Sequence, residues 1–195
     1  MPKYSLIFLN YDPLGKNTGI INQSRKSILD RTVGYDYEFI EVRDVDGYVN
    51  AVNSGLQRAT GEYMVILNDD ILIKDGEWLN TLSVPNAITS WRNNRFYMTG
   101  DELIDGACWC IPRNVYEKVG LMDTAFGEGY GCDEIDYFYR AKEAGFKLMV
   151  TPFNLEHWEN TTYKSYHKDT KEQMTERNVG IFFVKWKDKL NILHA

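Results

Sequence analysis

No stretch of this chain approaches the roughly 20 consecutive apolar residues that a membrane-spanning helix needs. The apolar run in the opening MPKYSLIFLN is also too short for a secretory signal. Cysteine is scarce and odd in number: Cys108, Cys110 and Cys132 are all there is, which excludes a disulfide framework and points to a reducing compartment. The expectation is a cytoplasmic protein without a transmembrane segment. Basic charge is in deficit as well. Lys and Arg number 22 against 28 Asp and Glu, a net charge of -6, which argues against a nucleic-acid partner bound by blanket phosphate neutralisation. Phosphate chemistry on such a chain needs a cation. Internal repeats, low-complexity tracts and a recognisable linker are missing too, so the 195 residues read as one domain, and 44% hydrophobic content is ample for a core.

What is there is alternation. YSLIFL (residues 4–9) reads as a buried strand followed by the turn-rich loop NYDPLGKNTG. IINQSRKSILDRTV then spaces Ile20, Ile21, Ser24, Ile28 and Leu29 as a helix, with Asn17 or Thr18 as N-cap. YEFIEVRDV is a second strand, and GYVNAVNSGLQRAT a second helix through Val49, Val52 and Leu56, stopped by Gly61. EYMVIL is a third strand and runs straight into Asn68, Asp69 and Asp70. Strand-helix-strand-helix-strand predicts an α/β domain with a parallel sheet. Ligands of such sheets bind beyond the carboxyl ends of the strands, where Asp44, Asp46 and the 68–70 triplet gather. The second half is less regular. EWLNTLSVPNAI reads as a short helix, RFYMTG as a strand, and GACWCIPRN as a strand entering the helix RNVYEKVG that Gly120 ends. GCDEIDYFYRAKEAG reads as a helix and FKLMVTP as a strand. FNLEHWENTTYKSYH reads as a loop, and DTKEQMTERNVGIFFVKWKDKL as a closing helix packed on the core.

Adjacent carboxylates repel, and burying them unpaired is expensive, so an apolar strand ending in Asp69 and Asp70 signals either a turn or a cation site. Hard divalent cations take oxygen ligands and share them with substrate phosphates. Asp133, Glu134 and Asp136 crowd the first turn of a helix, where acids are favourable through the dipole alone, and where one of them could also serve as a general base. His157, between Glu156 and Trp158, suits either a structural role or Mn2+. Cys108 and Cys110 fit core packing better than zinc, whereas Gly106 and Trp109 fit either core or pocket.

The ordered succession YVNAVNSGLQRATGEYMVILNDDILI, GACWCIPRNVYEKVGLMDTAFGEGYGCDEIDYFYRAKEAGFKL and NLEHWENTTY resembles glycosyltransferases of the GT-A fold, most closely the inverting family 2 type. The likeness spans about residues 4–165. It implies a single Rossmann-like α/β domain whose mostly parallel central sheet is flanked by helices. The nucleotide-binding half would cover about 1–75, the acceptor and catalytic half about 76–165, and the closing helix about 168–190. In that family the 68–70 stretch is an Asp-any-Asp metal motif. Asn68 replaces its first acid, Asp70 is its second and the metal ligand, and Asp69 reaches sugar or ribose. The resemblance assigns Asn10, Asp12, Asp44 and Asn53 to the nucleotide sugar, and Asp44 in particular to its base. Asp133 or Glu134 becomes the general base, with Asp136 third, and His157 completes the metal site. Trp109 and Tyr130 would stack on sugar faces or pack in the core; Lys16 or Arg25 would meet the diphosphate or remain solvated. The implied reaction is inverting transfer from a nucleotide-diphosphate sugar, UDP-sugar foremost, to a glycan hydroxyl with Mn2+ or Mg2+. A non-catalytic carbohydrate-binding module and a metal-dependent nucleotidyltransferase are the rival readings.

Overall fold

Every residue of β1 (Tyr4–Asn10) is buried, so this strand lies inside a sheet covered on both faces. The computed structural model describes residues 1–190 apart from Tyr97, Met98, Glu128, Gly129, Asn160 and Thr162. In it β1 pairs in parallel with β2 (Tyr37–Arg43) and β3 (Tyr63–Asn68). The crossovers are α1 (Thr18–Asp30), which buries Ile21, Ser24 and Ile28, and α2 (Tyr48–Arg58), which buries Val49, Val52 and Leu56. These are the positions that the 3.6-residue period singles out. After β3 the chain turns into the short β4 (Ile71–Ile73) and α3 (Trp78–Leu82). Then follow β5 (Ala87–Ser90), β6 (Asn93–Arg95), β7 (Glu102–Ile104) and β8 (Cys108–Pro112). The rest comprises α4 (Arg113–Val119), α5 (Asp133–Glu143), β9 (Lys147–Val150), β10 (Leu155–His157), a π-helical turn (Tyr163–His167) and α6 (Lys171–Trp186).

The central sheet has six strands in the order β2-β1-β3-β8-β5-β9. Only β8 runs against its neighbours among them; it is antiparallel to β3 and to β5, while β5 and β9 are parallel. This is the mostly parallel α/β sheet with flanking helices that the sequence predicts. The carboxyl ends of β1, β2 and β3 share one edge, with Asn10 opposite Arg43 and Leu9 opposite Asn68. Because β8 is reversed, its beginning arrives at that same edge, Cys108 opposite Leu67.

Three local readings change. EWLNTLSVPNAI is a helix only over Trp78–Leu82, since Pro85 disfavours helix in its predecessor, and Ala87–Ser90 is the buried strand β5. The expected strand RFYMTG includes Tyr97 and Met98, which lie outside the described residues; the strand here is β6, just ahead, paired with β7. The expected loop 153–167 contains β10, whose Leu155, Glu156 and His157 pair with Ile73, Leu72 and Ile71 of β4. That antiparallel pairing brings His157 beside the end of β3. No helix among the described residues is long and apolar enough to cross a membrane.

Closing helix α6 docks through one face, with Phe182 and Trp186 buried and Val184 exposed. Its anchor is polar as well as apolar. Trp186 Nε1 donates to Asp136 Oδ1 at 2.9 Å, Lys185 Nζ lies 2.8 Å from the same oxygen, and Arg140 Nε donates to Asp136 Oδ2 at 2.9 Å.

Two stability predictions follow from this packing. A Cβ on Gly61 would sit 2.7 Å from Ser5 N and 2.8 Å from the Tyr4 carbonyl carbon, and backbone cannot swing aside as a side chain can. Gly61→Ala is expected to cost about 1–3 kcal/mol or more in urea unfolding. Asp136→Ala should cost about 3 kcal/mol, the low end for a broken buried ion pair, because Arg140 and Lys185 both reach solvent.

Candidate functional site

At the sheet edge where β1, β2 and β3 end lies a cleft of about 580 Å3, bordered among others by Asn68, Asp69, Asp70, Asp133, Glu134 and His157. Asp69 and Asp70 on one side and Asp133 and Glu134 on the other come from two non-adjacent parts of the chain. The first is the turn between β3 and β4. Asp69 is 5% exposed and accepts from Tyr11 N at 3.0 Å. Burial pushes its carboxyl up to about 7, with the Tyr11 N–H pulling down and the adjacent Asp70 charge pushing up. Asp70, also buried, sets its Oδ1 3.1 Å from His157 Nε2. Its backbone carbonyl accepts from Trp158 N at 2.9 Å, which continues the β4–β10 pairing past His157. Burial alone would depress His157, but the bond to Asp70 outweighs it and raises the imidazole.

The second part is the start of α5. Tyr130, Gly131 and Cys132 all have left-handed backbones, with φ of 65°, 91° and 64°. For Tyr and Cys this conformation costs on the order of 1–2 kcal/mol each, and it persists where the surroundings over-determine it. The outcome is a sharp entry that turns Asp133 and Glu134 into the cleft. Burial raises Asp133 above the ordinary carboxylate value, and the Glu134 side chain and the N–H groups at the helix N-terminus pull the other way. Glu134 is held well above the ordinary carboxylate range by burial and by the Asp133 charge, and in its protonated form it donates to Asp133.

Between these parts lies a short shelf, residues 105–107. Asp105 Oδ1 accepts from Ala107 N at 2.8 Å, and its Oδ2 accepts from Arg92 Nε at 2.9 Å. Ser90 Oγ donates to the Asp105 carbonyl at 2.7 Å, and Asn68 N donates to the Ala107 carbonyl at 2.9 Å. Tyr48, Asp105, Arg92, Glu159 and His167 border the cleft, and sequence reasoning missed them as site residues. Only Asp105 carried a signal, the Asp-Gly turn ahead of ACWC; the others depend on tertiary approach.

Several assigned residues stand elsewhere. Asp136 is fully buried in its ion pairs with Arg140 and Lys185 and takes no part in the cleft. Asn53 is buried against the Met122 backbone, donating to its carbonyl at 3.0 Å and accepting its N–H at 2.8 Å, so it is a structural clamp. Trp109 is 0% exposed, edge-on to Tyr137 and Phe138 of α5, which makes it core and removes it from sugar stacking. Asn10 faces Glu41, and Arg25 pairs with Glu41, away from the cleft. Asp12 braces its own loop, accepting from Asn17 N at 2.9 Å and from the hydroxyls of Thr18 and Tyr166. Lys16 donates to the Ser165 carbonyl at 3.0 Å. Asp44, at φ 51°, accepts from Asp12 N at 2.9 Å just outside the cleft, where Val45 and Gly47 border it. Tyr130 does border it, near Asp133.

The donor set suits a divalent cation. Asp70 supplies carboxylate oxygen and His157 an imidazole nitrogen, a mixture that Mn2+ accepts readily and of which Mg2+ would favour the oxygen. Asn68 Oδ1 is a buried acceptor without a hydrogen-bond partner among the described residues. No three His, Cys, Asp or Glu side chains among the described residues converge into a cage. A cation here would therefore share its coordination with ligand oxygens.

No family model matches the sequence, and no curated protein matches it either. Solved structures do match. The Drosophila β1,4-galactosyltransferase 7, in complex with manganese, UDP-Gal and xylobiose, aligns at TM-score 0.68 and 14% identity over 89% of this chain and 79% of its own. The Pyrobaculum calidifontis mannosyltransferase PcManGT, in complex with GDP-Man and Mn2+, aligns at 0.57 and 17% over 77% and 55%. GalNAc-T7 with UDP, GalNAc and Mn2+ aligns at 0.61 and 13% over 96% and 50%. At such identities the likeness is one of architecture, and the fold of this chain is the GT-A fold of glycosyltransferases.

Proposed function

We propose that this chain is a metal-dependent inverting glycosyltransferase, moving a sugar from a nucleotide-diphosphate sugar to a glycan hydroxyl. The observation that carries the reading is the meeting, in one cleft, of the Asp70–His157 pair with the carboxylates Asp133 and Glu134. A cation centre and a high-pKa base facing one cavity are what displacement at an anomeric carbon requires. The GT-A fold, and the sugar nucleotides and Mn2+ named in the neighbours' structures, support it. UDP is the first nucleotide to test.

Electrostatics supports the metal. Among the described residues Asp69, Asp70, Asp105, Asp133, Glu134 and Glu159 border the cleft, against the guanidinium of Arg92. A diphosphate would be repelled there unless a cation intervened. Asp70 and His157 would hold that cation, which when bound supplies positive charge to stabilise the departing diphosphate. Glu134, whose side chain packs against Gly106 at the cleft wall, takes the proton from the acceptor hydroxyl. Asp133 sets its basicity through like-charge proximity. Asp69, beside Asp70 in the same turn, is placed to meet a sugar or ribose hydroxyl. Tyr130 offers a ring face at the same end.

Two predictions follow. In a thermal-shift assay UDP should stabilise the protein only with Mn2+, by about 2.7 kcal/mol at a hundredfold excess over Kd, and Asp70→Asn or His157→Ala should remove the effect. Stabilisation by no nucleoside diphosphate, with or without metal, would sink the donor assignment. Glu134→Gln should lower kcat about 10²- to 10⁴-fold while leaving the UDP–Mn2+ shift in place. Since the base must be ionised, wild-type kcat should fall as pH drops through a pKa above the usual carboxylate range, and Glu134→Gln should erase that limb. Free pyrophosphate among the products, in place of nucleoside diphosphate, would identify a nucleotidyltransferase instead.

A further inference from the structure

We infer that Tyr48 is a positioning residue for Glu134, acting through the backbone of Gly106 and locked by Trp109. The inference rests on the glycosyl-transfer reading for its kinetic consequence, though its geometry stands apart from it. Tyr48 opens α2, and its hydroxyl donates to the Gly106 carbonyl at 2.9 Å. The same oxygen accepts from Trp109 Nε1 at 3.1 Å, so the hydroxyl has one proton and one direction left to give it. Burial and the nearby Glu134 and Asp133 charges raise the phenol well above its ordinary value, which keeps that proton in place.

Gly106 is where this bond reaches the base. A Cβ built on it would lie 3.1 Å from Glu134 Cγ and 3.5 Å from both Cδ and Oε1, so the side chain of Glu134 packs directly against the glycine backbone. The residues on either side are fixed independently. Asp105 is tied to Arg92 and Ser90, and the Ala107 carbonyl to Asn68 N. The Gly106 carbonyl itself is oriented by Tyr48. Trp109 closes the loop from the other side, since its ring meets Tyr137 and Phe138, one helical turn along α5 from Glu134, at 5.5 and 5.4 Å between centroids. One indole thus holds both the helix that carries the base and the phenol that fixes the wall the base leans on.

Tyr48→Phe keeps the ring and deletes only the hydroxyl, which leaves the Gly106 carbonyl and the Trp109 N–H unpaired. The expected result is a fall in kcat of about 10- to 100-fold, the scale of a misplaced catalytic group. The donor KM should stay within about threefold, because the groups that would hold the diphosphate are untouched. Gly106→Ala crowds Glu134 from the other side and should give the same kcat-selective loss, and the double variant should be no slower than the slower single one. An unchanged kcat in Tyr48→Phe, or kcat losses that multiply in the double variant, would overturn the inference. Crystal structures of wild type and Tyr48→Phe give a readout that needs no turnover. A Glu134 side chain displaced from Gly106 or split between rotamers upholds the placement, and an unmoved one overturns it. If wild type transfers no sugar and Glu134 nevertheless moves, the functional reading fails while the positioning role survives.

Discussion

Carboxylates brought together where parallel strands end are the constraint to which the rest of this structure answers. Desolvating several like charges in one cleft is costly, and the fold meets that cost differently for each. Asp69, Asp133 and Glu134 are pushed toward the protonated form by burial. Asp70 and Asp105 are matched by His157 and Arg92. Asp133 draws on the N–H groups at the start of α5. The contrast is Asp136, three residues after Asp133 on the same helix. Arg140, Lys185 and Trp186 together satisfy it completely, and in doing so convert a third acid into the anchor for α6. Full satisfaction makes a carboxylate structural; partial satisfaction leaves it reactive.

The topology decides which acids meet. Parallel β1, β2 and β3 deliver Asp69 and Asp70 to one edge, but Asp133 and Glu134 come from the other half of the chain. The reversal of β8 provides the wall they meet. Its first residues return to the same edge, where Ala107 binds Asn68 and Gly106 abuts Glu134. The small β4–β10 pair does the same for the imidazole, because register places His157 opposite Ile71, next to Asp70. The cleft is assembled from segments far apart in sequence, each held by backbone hydrogen bonds before any side chain is considered.

That division explains what could be read from the chain. The α/β order was legible because Val49, Val52 and Leu56, or the wholly buried run Tyr4–Asn10, encode their surroundings in their own spacing. Asp70, Asp133, Glu134 and His157 were legible because each follows an apolar segment or a helix start in a fixed order, and the structure brings all four to one cleft. Trp109 was left open between core and pocket, and Asn53 was misread, for the same physical reason: an aromatic or an amide looks identical in sequence whether it faces a ligand or another part of the chain. The contact with Phe138 or with the Met122 backbone makes the choice. Tyr48 was invisible because its significance lies in one hydroxyl meeting one distant carbonyl. The loop 153–167 hid β10 because a three-residue strand has too little alternation to register.

The amide at position 68 belongs to the same electrostatic argument. A carboxylate there would add another charge beside Asp69 and Asp70, on an oxygen that is already buried and without a hydrogen-bond partner among the described residues. Asp69, already raised to about 7 with Asp70 as a neighbour, would be pushed higher and lost as an ionised group at neutral pH. Asn68 offers an oxygen donor of the same shape without that charge. Its backbone N–H meanwhile ties the end of β3 to the 105–107 shelf against which Glu134 rests. An amide in place of an acid thus lowers the repulsion that the turn must absorb, and leaves Asp70 paired with His157.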